Sequence, residues 1–530
     1  MLLFQRFTRH LIGLSLFSLN ACTFLPEQTD VTQVAPSTSR IVSTNQTDIG
    51  QTIHTLIQQH PGISGTHLLI EGIDALKART DLIQRSESSI DLHCELFRSD
   101  ETGQLMAAYL QQAADKGVRI RLLLDDLDQS GTKTWLAGLH SHRNIEIRIF
   151  NPFDANTFYN HSLHREHPLQ NTRTLPKTFN VDQQIAIVGE RNIGNDYFDG
   201  VSAVSWNDLD ALVIGPVIND IGQTFDDYWN SNLAYPVDHL LTHDSHEANR
   251  ESVAAASTPS SNERSQSTET PLSTATQQNN ATQLKTVAQK LQSRAQETLP
   301  LNVADYWAWG EVKLLIDSPA STTPPSDTLA SRFHEALLDE TSAWTFLSPD
   351  FAPGMQGTVL LTQAAAQHPV QVITRSTENR LIERIHTNYQ KYRKTLLKAG
   401  IKLYERKPVL KHSATTQAQP AFTPRHTHTY IVGERYLLIG SLNMPTQSTD
   451  ITGEVGLFVD QPELALRVEE RIKETLTEQT YQLTLSPAED VQWLETADFG
   501  MITHIVDPGT SFWQRLDDRV HGWFSMEPRL

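Results

Sequence analysis

Cysteine is almost missing from this chain: its 530 residues hold 2, far too few for a disulfide scaffold. Basic charge is also short, with 43 Lys+Arg against 62 Asp+Glu and a formal net charge of −19. A sequence-independent nucleic-acid binder would carry the opposite balance. No long apolar run is evident. The N-terminal one, Leu11 to Leu19, falls well below the roughly 20 residues that a membrane-spanning helix needs. What remains is ordinary globular composition, 38% hydrophobic, which excludes disorder throughout. The length is that of two to four domains at roughly 150 residues each.

The apolar run follows Arg6 and Arg9 and precedes small residues and Cys22, the layout of a signal peptide. Leu19-Asn20-Ala21-Cys22 resembles a bacterial lipobox, whose Cys becomes the lipidated first residue of the mature protein; an ordinary secretory signal is the alternative. Lipidation would leave Cys94 as the lone thiol, unable to form an intrachain disulfide. Thr23, in place of an Asp after the lipidated Cys, points to a periplasm-facing anchor in the outer membrane. The expected organisation is a signal over 1–21, a flexible tether over 22–54 rich in Thr, Ser, Gln and Pro, and a first domain over 55–242. A Ser/Thr/Gln-rich linker over 243–283 has almost nothing to bury. The second domain runs over 284–530.

Helix-like spacing over 72–86 and 103–116 alternates with strand-like stretches over 89–97, 118–124 and 145–150, an α/β pattern. The second half repeats the first. Residues 117–122 correspond to 369–374, and 144–152 to 400–408. Lys177 to Asn192 aligns without a gap on His428 to Asn443. A duplicated unit of this kind places a site where equivalent elements meet.

The aligned stretches each run through a strand-like segment into Gly and, three residues on, Asn: Gly189 and Asn192, then Gly440 and Asn443. This resembles the phospholipase D superfamily, whose H-x-K-x(4)-D and G-[GS]-x-N signature occurs once per half. The LLLDDLDQSGTK, IEIRIFNPF, IHTNYQKYRKTLLKAGIKLYERKP and IGSLNMPTQSTDITGEVGLFVD stretches look like the cardiolipin synthase C type. The resemblance implies an α/β fold in which two phospholipase D-like α/β/α sandwich halves form a pseudo-twofold pair with the site at their interface. It also implies phosphatidyl transfer through a phosphohistidine, with phospholipids as partners and no cofactor or metal. One motif imidazole attacks phosphorus and the other moves the proton, while Lys and Asn residues stabilise phosphate oxygens. Which histidine is the nucleophile stays open.

Carried over position by position, the resemblance makes His426 the motif imidazole, with Asp182 and Glu454 as orienting acids. Lys177, Asn192, His428, Ser441 and Asn443 become phosphate-binding residues. Three positions depart from the pattern: Leu175 stands for a His, His428 for a Lys and Gly433 for an Asp. A leucine has neither lone pair nor proton to offer, and a neutral His428 is a weaker clamp than Lys. Two readings follow. In one the chain is a membrane-anchored phospholipid or phosphodiester binder with impaired turnover. In the other it is an active phosphatidyltransferase or phospholipase in which His161, His164, His167 or His386 replaces the missing imidazole. An extracytoplasmic nuclease would use the same chemistry, but the acidic balance argues against it.

Other features carry less. The loop histidines have weak metal-ligand spacing, and Asp125, Asp126 and Asp128 read as a turn after a strand. Trp307, Trp309 and the C-terminal aromatics read mostly as core, although residues 510–524, with Arg515 and Arg519, have the spacing of an interfacial amphipathic helix.

Overall fold

The computed structural model describes residues 37–38, 44–125, 133–150, 177–198, 208–238, 298–316, 342–349, 351–376, 389–407, 428–440, 455–497, 500–508 and 510. The signal, Cys22, the 243–283 linker and most of the 510–524 stretch lie outside them.

The fold starts earlier than the composition of the presumed tether suggests. Residues 44–46 form a single helical turn, and helix α1 (Asp48–Gln59) follows. Thr47 caps it, its hydroxyl accepting from the Gly50 N–H at 3.2 Å, and Ile49, Ile53 and Leu56 form a buried stripe at helical spacing. Short polar side chains that read as linker here serve as caps. Ser37 and Thr38 are pinned as well. Asn230 exchanges two hydrogen bonds with the Ser37 backbone, Thr38 donates to Asp226 at 2.9 Å, and Arg119 donates to the Thr38 carbonyl at 2.8 Å. The 22–54 tether expected from sequence is therefore shorter at its C-terminal end.

The first half contains β1 (Ser64–Leu69), α2 (Gly72–Arg85), β2 (Ser89–Cys94), α3 (Glu101–Asp115), β3 (Arg119–Asp125), α4 (Lys133–His140) and β4 (Ile145–Phe150). After these come β5 (Lys177–Val181), β6 (Ile185–Gly189), α5 (Asn195–Phe198), β7 (Asp210–Ile214), α6 (Val217–Trp229) and β8 (Ala234–Pro236). Its strand order is 8-4-3-2-5-6-7-1, with only the β2–β3 and β3–β4 pairs parallel. Ile90, Leu92, Ile120, Leu122, Ile145 and Ile147 fill one face of this sheet, in the same apolar cluster as the buried residues of α1 to α3. Both faces are covered, so the strands are close to fully buried.

The second half contains β9 (Ala308–Ile316), β10 (Trp344–Leu347), α7 (Gly354–Ala365), β11 (Val370–Arg375), α8 (Arg393–Lys398), β12 (Lys402–Arg406), β13 (His428–Val432), β14 (Tyr436–Gly440), β15 (Val455–Asp460), α9 (Pro462–Gln479) and β16 (Thr480–Leu485). The order 16-12-11-10-13-14-15-9 repeats the first half strand for strand, with the same parallel and antiparallel pairs. Register repeats too: Lys177 faces Gly189 on β6, and His428 faces Gly440 on β14. A final hairpin, β17 (Val491–Ala497) and β18 (Gly500–His504), extends the second sheet.

Strand β9 belongs to both sheets. Residues 308–310 pair with β1 and residues 311–316 with β15. A single apolar cluster then draws Val188, Val213 and Ile221 from the first half and Ile431, Leu437, Val459 and Ile472 from the second. Residues 37–530 form one compact unit.

Candidate functional site

Strand register sets Lys177 beside Gly189, and His428 beside Gly440, at one end of each sheet. In the first half Lys177, Gly189, Asp210 and Leu69 stand abreast on β5, β6, β7 and β1. This is the end at which the parallel strand β2 finishes, where α/β sheets commonly place ligands. Gly189 is required by close approach: a Cβ there would lie 2.0 Å from the Asp210 Oδ1 and 2.7 Å from the Leu209 carbonyl. Gly440 is equally enclosed, 2.1 Å from the Val455 carbonyl. The motif glycines thus let neighbouring strands close up beside the site.

Lys177 is buried. Its Nζ lies 3.2 Å from Glu190 and 3.4 Å from Glu95. Burial works against its charge, but Glu190 and Glu95 outweigh burial and hold the ammonium protonated well above the ordinary lysine range. Glu190 feels the converse. Burial pushes its carboxyl up to about 7 against the pull of Lys177, and Asp208 adds to the rise. One ammonium therefore sits among three acidic residues, Glu95, Glu190 and Asp208. Beside them, burial moves the Tyr197 phenol and the Cys94 thiol up to about 12 each, which keeps both neutral. Sequence reasoning missed Glu190. The available signal was a large acid at the second position of G-[GS]-x-N, where the other half has Ser441.

Asn192 is held differently from a phosphate clamp. Its Oδ1 accepts the N–H groups of Glu95 and Leu96 at 3.1 and 3.0 Å, and its Nδ2 donates to the Tyr197 hydroxyl at 3.1 Å. It fixes the turn that carries Glu95. Next to it, Arg191 donates to the carbonyls of Leu69 and Ile70 and pairs with Asp210 at 3.2 Å, and Arg79 reaches Asp210 at 2.9 Å. Burial pushes the Asp210 carboxyl up, but the two guanidinium groups prevail and hold it below the usual range.

Asp182 stands at the far end of β5, five residues from Lys177 and so about 16 Å away along the strand. Its carboxylate accepts backbone N–H groups of Glu87, Ser88 and Ser89 at 2.7–3.0 Å. That is turn architecture, out of reach of an imidazole at the Lys177 end, and the expected orienting role does not fit its place. Gly433 confirms the pattern. It adopts the same left-handed backbone, φ 65° against 53° for Asp182. Its N–H bonds the Ala343 carbonyl as the Asp182 N–H bonds that of Ser89. The Gly433 departure thus falls on a turn.

His428 is buried at the start of β13. Its Nδ1 lies 2.9 Å from the Ser348 hydroxyl and 3.5 Å from that of Tyr430. A second imidazole, missed in the sequence, lies in the first half: His93, paired with Thr178 across β2 and β5. It is fully buried and, among the described residues, neither ring nitrogen has a hydrogen-bond partner; burial together with Lys177 brings it down to about 3. It is neutral and packs edge-on to Phe225 and Tyr228. Leu175, His426, Ser441, Asn443, Glu454 and the loop histidines 161, 164, 167 and 386 lie outside the described residues. Among the described residues no three His, Cys, Asp or Glu side chains are grouped to hold a metal ion.

Residues 345–476 match the family model described as cardiolipin synthase, PLD-like domain. Over that stretch the chain is similar to the phospholipase D-like domain of cardiolipin synthases. It is homologous to cardiolipin synthase C of Escherichia coli K12, 28% identical over 473 residues that cover 88% of this chain and 96% of that one. A Helicobacter pylori protein is 28% identical over 528 residues, 98% of each chain. Among solved structures, phosphatidylserine synthase of Haemophilus influenzae overlays with a TM-score of 0.47 at 11% identity, covering 82% of this chain and 92% of that one. Apart from Trp344, strands β10 to β15, which include His428, fall within the matched region, while β16 lies beyond it; the first half repeats their order.

Proposed function

We propose that this cardiolipin synthase-like protein is a membrane-anchored binder of phospholipid head groups or phosphodiesters whose capacity for phosphatidyl transfer is impaired. The observation that carries the reading is the closure of Lys177 between Glu190 and Glu95. A phosphate oxygen entering there must displace a carboxylate already at contact distance. Opposite charges about 4 Å apart attract by roughly 4 kcal/mol at an effective dielectric constant near 20, so the incoming anion gains little by exchange. Leu175 adds a second obstacle, because two-step transfer needs an imidazole in each half. Head groups are then taken chiefly by the second half, through His428 with His426, Ser441 and Asn443. The lipobox-like Leu19-Asn20-Ala21-Cys22 supports a lipid-anchored, periplasm-facing position; among the described residues no helix is long and apolar enough to cross a membrane.

The test is a lipid assay with reconstruction of the motif. Phosphatidylglycerol and phosphatidylethanolamine are incubated with wild type and with Leu175→His, Glu190→Ser, His428→Lys. Little or no product from wild type, with product from the triple variant, supports impairment. Robust transfer by wild type that is lost in His426→Ala would establish the active reading instead.

A further inference from the structure

A cleft of about 710 Å³ opens where the two halves and the segment entering β9 meet. That volume lies within the ~300–1,000 Å³ usual for small-molecule sites. Its floor is the end of β1, and its walls are the start of α2, residues 298–306 and helix α9. It opens along the same sheet end as Lys177 but three strands over, about 14 Å away at ordinary strand spacing. No motif residue lines it.

The charges around it are unequal in what they already hold. Lys77 is paired with Asp81 at 2.5 Å, and Arg471 with Glu71 at 2.9 Å and Glu474 at 3.3 Å. Arg467 and Asp74 also line the cleft and both act electrostatically on His67 and Tyr306; among the described residues the Arg467 guanidinium has no hydrogen bond or ion pair. Its neighbour His67 is fixed: the ring stacks on Tyr306 at 3.8 Å, and Nδ1–H donates to the Tyr306 carbonyl at 2.9 Å. Burial, with Arg467 nearby, keeps that imidazole neutral. The apolar part of the lining comes from Leu68, Leu69, Ile70, Leu299, Pro300 and the Tyr306 ring. A guanidinium without an ion pair among the described residues, beside an apolar lining, is the complement of an amphiphile with a single acidic head.

We propose that this cleft binds a single-chain anionic amphiphile, its carboxylate or phosphate head on Arg467 and its alkyl chain against Leu69, Leu299 and Pro300, at a site separate from the motif residues. The full chain is titrated calorimetrically with laurate, dodecyl phosphate, 1-dodecanol and inorganic phosphate. Arg467→Gln, an exposed substitution, leaves the fold intact, and Leu299→Asp intrudes on the apolar wall. One equivalent of laurate or dodecyl phosphate should bind, weakened roughly tenfold or more by either substitution. The tighter of the two names the head group. Dodecanol and inorganic phosphate should bind at least tenfold more weakly, and the affinity for the amphiphiles should be the same in His426→Ala, which disables the motif site, as in wild type. The proposal is overturned if neither amphiphile binds, if Arg467→Gln binds as wild type does, or if dodecanol or inorganic phosphate matches the amphiphiles. Loss of binding in His426→Ala would likewise overturn it, by assigning the ligand to the motif site.

Discussion

The two halves share one strand order and one register, yet equivalent positions at their motif ends are filled by opposite chemistry. At the head of β5 a lysine is buried against two carboxylates; at the head of β13 a histidine is buried against two hydroxyls. Beside the motif glycine, the first half has Asp210 locked between Arg79 and Arg191, whereas the second has Gly456. At the far turn Asp182 caps three amides, and Gly433 offers no side chain. A backbone template has been kept while the charges on it diverged, which sets the fold and the chemistry under different constraints. Strand pairing depends on the close approach of Gly189 and Gly440. The chemistry depends on a handful of side chains that can change without disturbing it.

Substitutions at equivalent positions should separate the halves, most strongly at Asp210. Asp210→Ala leaves two buried guanidinium groups without their carboxylate and should cost about 3–5 kcal/mol, read as a lower denaturant midpoint. Gly456 has no such pair to lose. A difference below about 1 kcal/mol from wild type would show that the Arg79–Asp210–Arg191 cluster does not hold the first half together.

Next in size is the turn. Asp182→Gly removes the acceptor for three amides and should destabilise by about 1–3 kcal/mol, while Gly433→Asp, at a left-handed position that Asp tolerates, should stay within about 1 kcal/mol. Loss of lipid turnover from a reconstructed motif on Asp182→Gly, with stability unchanged, would instead return Asp182 to the chemistry.

The acids of the first half should also leave opposite pH signatures. Glu190, raised from 4.5 to about 7, is protonated in the folded state where the unfolded chain is ionised. Its contribution is therefore present below about pH 4.5 and lost as pH rises towards 7. Asp210, held low, contributes above its unfolded value near 3.9 and loses that contribution as pH falls. Glu190→Gln should flatten the stability profile between about pH 4.5 and 7 and leave the acid limb unchanged. A profile that keeps its slope would place the titration elsewhere.

Much of the architecture was legible in the sequence because it follows periodicity. The helices and strands over 72–150 and the gapless Lys177 and His428 repeats emerge as expected, since buried strands and amphipathic helices leave apolar patterns. The start of the fold at residue 44 was hidden, because capping threonines have the composition of a linker. Motif positions were legible, but their partners were not. Glu190 and Glu95 reach Lys177 across three strands, and Asp182 looks catalytic in a pattern while its carboxylate binds a turn. Long-range pairing of side chains leaves no periodic trace. The cleft at Arg467 was invisible for the same reason, being built from segments about 400 residues apart, as the Arg471–Glu71 pair shows.

The proposed impairment is tested most directly by trapping the covalent intermediate. Wild-type protein is mixed with head-group-labelled phosphatidylglycerol and quenched on a single-turnover timescale. No stoichiometric burst of released head group and no phosphorylated histidine are expected, because Leu175 leaves the first motif without its histidine and Glu190 holds Lys177. A burst of about one equivalent per chain, abolished by His426→Ala, would contradict that account.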